Sequence, residues 1–288
     1  MKIAFIGAGK MGLPICRRLR IAGHDLTVLT RRAGLENDFR ERGIKFSKTV
    51  SSMIHDANLV FTCLSDDAAL ADVIINDFFA STINRNATLI DMSTVSPEIS
   101  ARVAAHLPNE VEFLRSPVSG STGMAEAGTL TAIVSGPRSK FDELATVFEI
   151  FTKKAIHVGE GEEARYMKLV LNSMVAATSA LLGEALALGA KGGLTHAAML
   201  DVITQSAVAS PLIGYKKDMI ISGDYKPAAT LNMLKKDLDL FLVAGNENDI
   251  AMPINAAIKK IYDAASQKGL GEKDFFVLVK EAEDKGFT

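Results

Sequence analysis

The sequence contains few of the residues on which several classes of protein depend. Its two cysteines, Cys16 and Cys63, are too few for a disulfide framework and indicate a reducing compartment. The five histidines lie without the spacing of a metal site, so we expect no bound metal. A formal net charge of −2 in 288 residues offers no basic surface for nucleic acid or an anionic membrane. We therefore expect neither a metalloprotein nor a nucleic-acid-binding protein.

Long apolar segments are also scarce. The most apolar stretch, residues 174–190, is interrupted by Glu184 and flanked by Asn172 and Lys191. We interpret it as a buried helix rather than a membrane span. No targeting segment precedes the first predicted strand, which begins at residue 2, so a cytoplasmic protein is expected. With 48% hydrophobic and 23% charged residues, the chain has an ordinary globular composition and room for two domains.

Short strand and helix patterns alternate over the first part of the chain, which is typical of a doubly wound, mostly parallel α/β sheet. Strands are predicted at 2–6, 25–30, 58–64, 87–91, 111–114, 130–135 and 154–158. Helices between them are predicted at 67–79, 97–106 and 138–151, among others. Later helical patterns lie at 162–191, 195–206, 211–221, 231–247, 253–268 and 273–284. We therefore predict a Rossmann domain over 1–161 and an all-helical domain over 162–288, which begins with a long interdomain helix.

The most informative motif lies at the beginning of the chain. A strand pattern leads into Gly7-Ala8-Gly9-Lys10-Met11-Gly12, and a helix pattern and a second strand pattern follow. In this context a G-x-G-x-x-G segment indicates dinucleotide binding. Gly7 allows the tight turn, Gly9 lets the backbone approach a pyrophosphate, and Gly12 lets helix and strand pack closely. The N–H groups at the helix start then face the phosphates.

The end of the second predicted strand indicates which dinucleotide is bound. NAD sites place a carboxylate about 20 positions after the glycines to hold the ribose 2′-hydroxyl, whereas NADP sites place an arginine nearby. Here Thr30 is followed by Arg31 and Arg32, and two guanidinium groups suit a 2′-phosphate. The alternative is a pair of solvated arginines at a helix start, where their charge opposes the helix dipole. We predict a preference for NADP(H), with NAD(H) open as a second cofactor.

Two later loops carry polar residues after predicted strands. Asp91-Met92-Ser93-Thr94 follows a buried strand, so its hydroxyl groups are expected to face the cofactor. Ser96 and Pro97 form a good helix start, which leaves Thr94 for the ligand. The segment Ser116-Pro117-Val118-Ser119-Gly120-Ser121 follows another strand. It is either a concavity for a carboxylate or a plain turn.

Lys168 and Asn172 are four residues apart on the long predicted helix, so their side chains share one face. Their neighbours are apolar, and desolvation in such surroundings lowers the pKa of a lysine toward the range useful for proton transfer. The alternative is a lysine whose stem packs while its ammonium group reaches the surface. A second polar segment, Lys235-Lys236-Asp237, is interpreted on its own as a solvated helix face.

Taken together and in this order, the motifs resemble the β-hydroxyacid dehydrogenase family, which includes 3-hydroxyisobutyrate dehydrogenases and glyoxylate/succinic semialdehyde reductases. The resemblance covers essentially the whole chain. It implies hydride transfer between a nicotinamide and a small carboxylate-bearing hydroxy acid, or the corresponding semialdehyde or 2-oxo acid. It also implies a homodimer or homotetramer, with Lys168 as general acid and base and Asn172 orienting the lysine or the substrate oxygen.

The resemblance assigns binding residues by position. It implies cofactor contacts at Gly7, Ala8, Gly9, Lys10, Met11, Gly12, Thr30, Arg31, Arg32, Cys63, Leu64, Ser65, Thr94 and Lys236. It implies substrate contacts at Ser119, Gly120, Ser121, Lys168, Asn172 and Asp237. Departures from the family pattern lie on the substrate side, at Arg115, Ser121 and Ala229, and they leave the identity of the substrate open.

Three other functions compete with this one. The nearest is an imine reductase of the same architecture, whose members usually carry Asp or Tyr at the position of Lys168. The second is a non-catalytic NADPH-binding module, which the retained lysine disfavours. The third is a structural protein that uses its helices only for assembly, and the intact glycine turn disfavours it.

Overall fold

A mostly parallel β-sheet forms the centre of the first part of the chain. The computed structural model describes residues 1–30, 34–285 and 287, and it divides into two units, Met1–Lys168 and Leu169–Thr288. The strands among the described residues are β1 Lys2–Ile6, β2 Asp25–Leu29, β3 Lys45–Phe46, β4 Leu59–Thr62, β5 Thr88–Asp91, β6 Glu112–Arg115, β7 Val118–Ser119, β8 Leu130–Ser135 and β9 Thr152–Gly159. Their order across the sheet is β3-β2-β1-β4-β5-β6-β8-β7, with β9 beside β8.

The strand directions confirm the predicted doubly wound sheet. The pairings from β3 through β6 are all parallel, and β6 and β7 both pair antiparallel with β8. The register places Ile6 beside Thr62 and Thr62 beside Asp91. The carboxyl ends of β1, β4 and β5 therefore meet at one edge, which is where ligands bind in sheets of this kind.

Helices cover both faces of the sheet. They are α1 Gly12–Ile21, α2 Glu36–Glu41, α3 Ser51–Ile54, α4 Asp67–Ile74, α5 Asp77–Thr82, α6 Pro97–His106, α7 Thr122–Ala127, α8 Arg138–Glu143 and α9 Ala145–Glu149. Alternate residues of β1 enter different cores, because successive side chains of a strand point to opposite faces. Phe5 packs with Ile15 of α1, whereas Ile6 packs with Leu70 of α4 and Val103 of α6.

The second unit is mostly helical, as predicted, and its connecting loops include one isolated β-bridge between Thr230 and Asp274. Its helices are α10 Glu163–Lys191 (which begins in the first unit), α11 His196–Gln205, α12 Pro211–Ser222, α13 Leu231–Glu247, α14 Pro253–Ala265 and α15 Leu278–Lys285. A short π-helical turn, Ser266–Leu270, and a 3₁₀ turn, Phe275–Val277, connect α14 to α15. The core contains a buried ion pair, Lys216–Asp274 at 2.5 Å, and a 2.7 Å hydrogen bond between Ser179 and Tyr262.

Helix α10 is the one helix in the described chain whose length and composition would suffice to cross a membrane. Within the protein, 44% of its most apolar 18-residue window is buried. Leu182 and Leu186 lie in the helical core. The predicted domain boundary after residue 161 lies just before this helix and stays a prediction.

The structure differs from the predicted elements in several places. The helix predicted at 138–151 is two helices, α8 and α9, which meet at Leu144. The helix predicted at 273–284 begins as the 3₁₀ turn Phe275–Val277 and continues as α15. The two-residue strands β3 and β7 are too short to leave a periodic pattern. The single helix predicted at 67–79 is two helices, because the Asn76 side chain accepts the Phe79 N–H and begins α5. The helix predicted at 253–268 changes to a π turn near Gly269, whose φ of +83° ends the regular α-helix.

Candidate functional site

The turn between β1 and α1 contains three glycines with different surroundings. Gly7 has a φ of +100°, and a Cβ there would lie 2.3 Å from the carbonyl oxygen of Cys63. A Cβ on Gly12 would lie 2.5 Å from the carbonyl oxygen of Gly7. At Gly9, by contrast, no described atom lies within 4 Å of the Cβ position. The protein itself requires the first and third glycines, whereas Gly9 borders open space that a ligand can occupy.

A cavity of about 310 Å³ opens beside this turn, at the carboxyl edge of the sheet. It is lined by Ile6, Gly7, Gly9, Leu29, Thr30, Cys63, Leu64, Ser65, Ala69, Asp72 and Val73. Six of the predicted cofactor residues are therefore brought together: Gly7, Gly9, Thr30, Cys63, Leu64 and Ser65. Because the cavity and the open backbone at Gly9 adjoin, the residues present fit a dinucleotide.

The remaining predicted cofactor residues of this segment have different environments. Ala8 is fully buried, and its carbonyl accepts a 3.4 Å hydrogen bond from Thr30 Oγ1. Met11 packs against the core on the α1 side of the sheet, and Lys10 is exposed on the turn. Arg31 and Arg32, on which the NADPH prediction depends, lie outside the described residues.

Both thiols are in environments that disfavour ionisation. Burial raises the pKa of Cys16 well above its usual value, and it raises the pKa of Cys63 to about 12. The side chain of Cys16 lies in the core beneath α1. Such environments are those of packing residues rather than of nucleophiles.

A buried hydrogen-bond cluster lies behind the loops that follow β4 and β5. We call it the Arg165 cluster, and it consists of Thr62, Asp91, Ser93, Ser100 and Arg165. Arg165 is 1% exposed, and its guanidinium lies 2.5 Å from Asp91 Oδ2. The hydroxyls of Thr62 and Ser93 donate to Asp91 Oδ1, both at 2.6 Å. Sequence reasoning did not identify Arg165, and its only signal is a charged residue in an otherwise apolar helix segment.

The loop after β5 then leads into α6 as predicted. Ser96 Oγ accepts the Ile99 N–H at 3.1 Å, and Pro97 occupies the first helical turn. Thr94 is half-buried between the Arg165 cluster and this cap. The capping serine and the predicted ligand-binding threonine are thus separate residues of one loop.

Lys168 lies against the predicted substrate loop. Its Nζ donates a 2.9 Å hydrogen bond to the carbonyl of Val118, next to Ser119, and its side chain is half-buried. Gly120 has a φ of +138°, and Ser121 Oγ accepts the Met124 N–H at 3.3 Å as the cap of α7. The hydroxyl that was expected to bind substrate therefore also begins a helix.

The predicted residues of the second unit form their own group. Asn172 Nδ2 donates to Asp237 Oδ2 at 2.6 Å, and Lys236 Nζ lies 3.0 Å from Asp237 Oδ1. Asp237 is only 7% exposed, so the interpretation of this segment as a solvated face is wrong for the aspartate. Asn172 follows Lys168 by one turn of α10.

Two departures from the family pattern have partners within their own units. Arg115 is buried, ion-paired with Glu162, and lies 4.2 Å above the ring of Phe113. Ala229 is half-buried and packs against the helical core. Arg115 thus balances a carboxylate of its own unit.

A doubly wound sheet with a glycine turn and a cavity at its carboxyl edge defines a dinucleotide-binding protein. Residues 2–159 match the model of the NAD-binding domain of 6-phosphogluconate dehydrogenase. Residues 162–282 match the model of the NAD-binding domain of NADP-dependent 3-hydroxyisobutyrate dehydrogenase. The chain belongs to the β-hydroxyacid dehydrogenase family, of the 3-hydroxyisobutyrate dehydrogenase type, and is an NAD(P)-dependent oxidoreductase.

Curated relatives align along nearly the whole chain. Glyoxylate/succinic semialdehyde reductase 1 of Arabidopsis thaliana is 29% identical over 97% of this chain and 98% of its own. The 2-(hydroxymethyl)glutarate dehydrogenase of Eubacterium barkeri is also 29% identical, over 97% of this chain and 94% of its own. The match to the cytokine-like nuclear factor N-PAC of Homo sapiens, at 28% identity, covers 95% of this chain but about half (49%) of that longer protein.

Solved structures confirm the fold. The 3-hydroxyisobutyrate dehydrogenase of Mycobacterium tuberculosis, with L-serine, superposes with a TM-score of 0.87 at 24% identity, over 97% of this chain and 98% of the other. Psf3 in complex with NADP+ and 2-OPP superposes with a TM-score of 0.88 at 25% identity, over 97% of this chain and 99% of the other. An imine reductase from Myxococcus stipitatus superposes with a TM-score of 0.64 at 17% identity, over 97% of this chain and 98% of the other.

Proposed function

We propose that this enzyme uses NADPH to reduce a small semialdehyde or 2-oxo acid to its hydroxy acid, with Lys168 as the proton donor. The observation that carries the proposal is the hydrogen bond from the Lys168 ammonium to Val118 in the predicted substrate loop. The bond supports this role because it holds the ammonium group on a half-buried helix face, beside backbone and hydroxyl groups suited to a carboxylate. The activities for which the two enzyme relatives are named support this substrate class.

The residues of the first unit would hold the cofactor. The open backbone of Gly9 and the start of α1 would receive the pyrophosphate, and the cavity beyond Thr30 would receive the adenosine end. Thr94 and the Cys63–Ser65 segment would bound the path toward the nicotinamide. When bound, the nicotinamide supplies or accepts the hydride.

Other residues would bind the substrate carboxylate and transfer the proton to the substrate oxygen. Backbone N–H groups and hydroxyls of Ser119, Gly120 and Ser121 would hold the carboxylate. Lys168 donates a proton to the carbonyl oxygen of the substrate as negative charge develops there, and it accepts that proton in the reverse direction. Asn172, held by its 2.6 Å hydrogen bond to Asp237, would orient the substrate oxygen.

Preference for NADPH is part of the proposal. Thr30 lines the cavity at the position where NAD sites carry a carboxylate, so the side chain at that position does not repel a 2′-phosphate. Arg31 and Arg32 follow it directly in the sequence and would supply charge-assisted hydrogen bonds.

Self-association is the third part of the proposal. Met174, Leu181 and Leu188 recur at intervals of seven along α10 and are 64%, 69% and 77% exposed. Seven residues are close to two helical turns, so these side chains form one apolar row. We propose a second copy of the chain as its occupant. A folded Leu181→Glu/Leu188→Glu variant should then run as a smaller species in size-exclusion chromatography with light scattering, and an unchanged mass would refute this interface.

The reaction is tested with purified protein, NADPH or NADH, and a panel of glyoxylate, straight and branched semialdehydes, 2-oxo acids and cyclic imines. We expect oxidation of NADPH with a carbonyl acid and a higher kcat/KM with NADPH than with NADH. Replacement of Arg31 and Arg32 by alanine should remove most of that preference. Turnover of imines alone would favour the imine reductase, and tight NADPH binding without turnover of any substrate would favour a non-catalytic module.

A further inference from the structure

We propose that Arg165 is a positioning residue that fixes the first turn of α10, three residues before Lys168, against the loops that hold the cofactor. The proposal rests on the function proposed above. It is based on the buried guanidinium group of Arg165. Each of its three nitrogens donates a hydrogen bond to residues at the edge of the sheet where the cofactor cavity opens. Neither the family motifs nor the predicted contacts assign a role to this residue.

The geometry of the guanidinium defines what it holds. Nε donates to Ser100 Oγ at 3.0 Å, one terminal nitrogen donates to the carbonyl of Ser93 at 2.8 Å, and the other donates to Asp91 Oδ2 at 2.5 Å. Arg165 thereby binds the end of β5, the loop after β5 and helix α6 at once. The planar guanidinium presents its donors in fixed directions, so three such bonds determine the orientation of the helix turn that carries it.

The cluster continues from Asp91 into a second loop. Ser93 Oγ donates to Asp91 Oδ1 at 2.6 Å and accepts the Leu64 N–H at 2.9 Å. Leu64 lines the cofactor cavity, and Thr94 follows Ser93 directly. The two loops that border the cofactor are therefore joined to each other through Ser93 and to α10 through Arg165.

Helix α10 carries this constraint to the proton donor. Lys168 lies three positions after Arg165, which is less than one helical turn. The Nζ of Lys168 is in turn held by the carbonyl of Val118. A shift of the first turn would move the ammonium relative to Thr94 and Leu64. Reactions of this kind are sensitive to displacements of about 1 Å, which can cost on the order of 10²-fold in rate.

A role in folding alone would predict a different pattern of effects. Lys216 offers the matched control, because it forms an equally buried ion pair with Asp274, also at 2.5 Å. Its ammonium group contacts Asp274, Met219 and three aromatic rings, and these residues are not part of the proposed site. A Lys216→Met variant therefore loses a buried pair without touching the loops that border the cavity.

The experiment compares Arg165→Lys, Arg165→Met, Arg165→Met/Asp91→Asn and Lys216→Met by steady-state kinetics, thermal unfolding and amide hydrogen exchange. We expect Arg165→Met to lower kcat at least tenfold, with the KM for NADPH within threefold. The double variant leaves no unpaired charge, so its thermal stability should recover while kcat stays low. Arg165→Lys keeps the positive charge but loses the planar guanidinium with its three donors, and it should lower kcat three- to tenfold. Lys216→Met should keep kcat within twofold.

Amide exchange gives a readout that needs neither substrate nor cofactor. In the Arg165 variants the amides of Leu64 and Ser93 should exchange at least tenfold faster, and those at the centre of β1 should not change. A wild-type chain without turnover would refute the proposed function while leaving this measurement intact.

The positioning role would be overturned by unchanged exchange at Leu64 and Ser93, by kcat recovering with stability in the double variant, or by an equal kcat loss in Lys216→Met. Should the methionine variants fail to fold, an Arg165→Lys protein with kcat within twofold of wild type would overturn it as well.

Discussion

At the scale of single residues, the candidate site depends on where one ammonium group is held. Lys168 lies on a helix that is apolar around it, and its Nζ is directed to the Val118 carbonyl at 2.9 Å. This hydrogen bond keeps the proposed proton donor beside the loop expected to bind the substrate carboxylate. A neutral carbonyl acceptor leaves the ammonium able to exchange partners when a substrate oxygen arrives.

Replacement of Lys168 by alanine should lower kcat by about 10²–10⁴-fold, because a positioned proton donor contributes a factor of that size. Direct binding of NADPH, followed by fluorescence titration, should persist. Lys191→Ala at the exposed far end of the same helix is the matched control and should keep normal kinetics. Near-normal turnover in Lys168→Ala would remove this residue from the mechanism.

The glycines of the first turn give a second prediction at this scale. Gly7→Ala places a Cβ against the Cys63 carbonyl at a φ of +100°, so it should lower the free energy of unfolding by at least about 1–3 kcal/mol. Gly9→Ala meets open space and should change stability by less than about 0.5 kcal/mol.

The same pair of variants distinguishes a ligand site from a tight turn. Gly9→Ala should raise the Kd for NADPH at least about tenfold, equivalent to about 1.4 kcal/mol, because the added methyl group occupies the space left for the phosphates. Chemical denaturation and titration with NADPH measure the two quantities. Equal affinity in wild type and Gly9→Ala would show that the open space is not the phosphate site.

At the scale of secondary-structure elements, the end caps fix where the site loops stop. Ser96 begins α6 directly after Thr94, and its Oγ accepts the Ile99 N–H. Ser96→Ala should lower the free energy of unfolding by about 1 kcal/mol, the usual cost of a lost N-cap. Urea unfolding measures this loss. Ser81→Ala, at an exposed serine inside α5 that caps nothing, is the control, and an equal loss there would contradict the capping role.

The sequence was sufficient to predict most elements and the glycine turn, because both depend on local pattern. Strand β1 and helix α6 have the predicted bounds, since a short apolar run or a Ser-Pro cap is visible in a few residues. Strands β3 and β7 have two residues each, and only their pairing with neighbouring strands defines them. Their existence is a tertiary property that local pattern does not contain.

The same distinction explains what could be predicted of the site. The residues that line the cavity follow from the motif and from the ends of strands. Arg165 could not be identified, because a charge on an apolar helix reveals its role only through its partner, and Asp91 is 74 positions away. Asp237 was misjudged for the same reason, since it follows two lysines in the sequence, whereas Asn172, which donates a hydrogen bond to it, is 65 positions away.

At the scale of the whole molecule, several weak acids are held in their neutral form. Burial raises the pKa of the Cys16 thiol above its ordinary 9.0, and it raises those of Tyr215 and Tyr225 from 10.0 to about 12. Tyr262 is shifted in the same direction. The folded state therefore binds more protons than the unfolded state at alkaline pH, and stability must fall as pH rises.

This linkage predicts the pH range of alkaline unfolding. Stability attributable to these groups is fully present below about pH 9, and it is lost progressively from there through about pH 12. Thermal unfolding measured at several pH values from 7 to 11 should show a melting temperature that declines above pH 9. Cys16→Ala removes the earliest of these titrations, and it should make the decline between pH 9 and 10 shallower. A melting temperature that is constant up to pH 11 would contradict the assigned environments.

The position of Cys63 gives the protein a built-in chemical reporter. Cys63 is one of the residues that line the cofactor cavity, and its thiol has a pKa of about 12, so at neutral pH very little of it is the reactive thiolate. The other cysteine, Cys16, is fully buried. Alkylation should therefore be slow, restricted to one residue, and faster as pH rises while the fold persists. Saturating NADPH should slow it further, so a single mass-spectrometric label would record how much of the enzyme is loaded without any need to know its substrate.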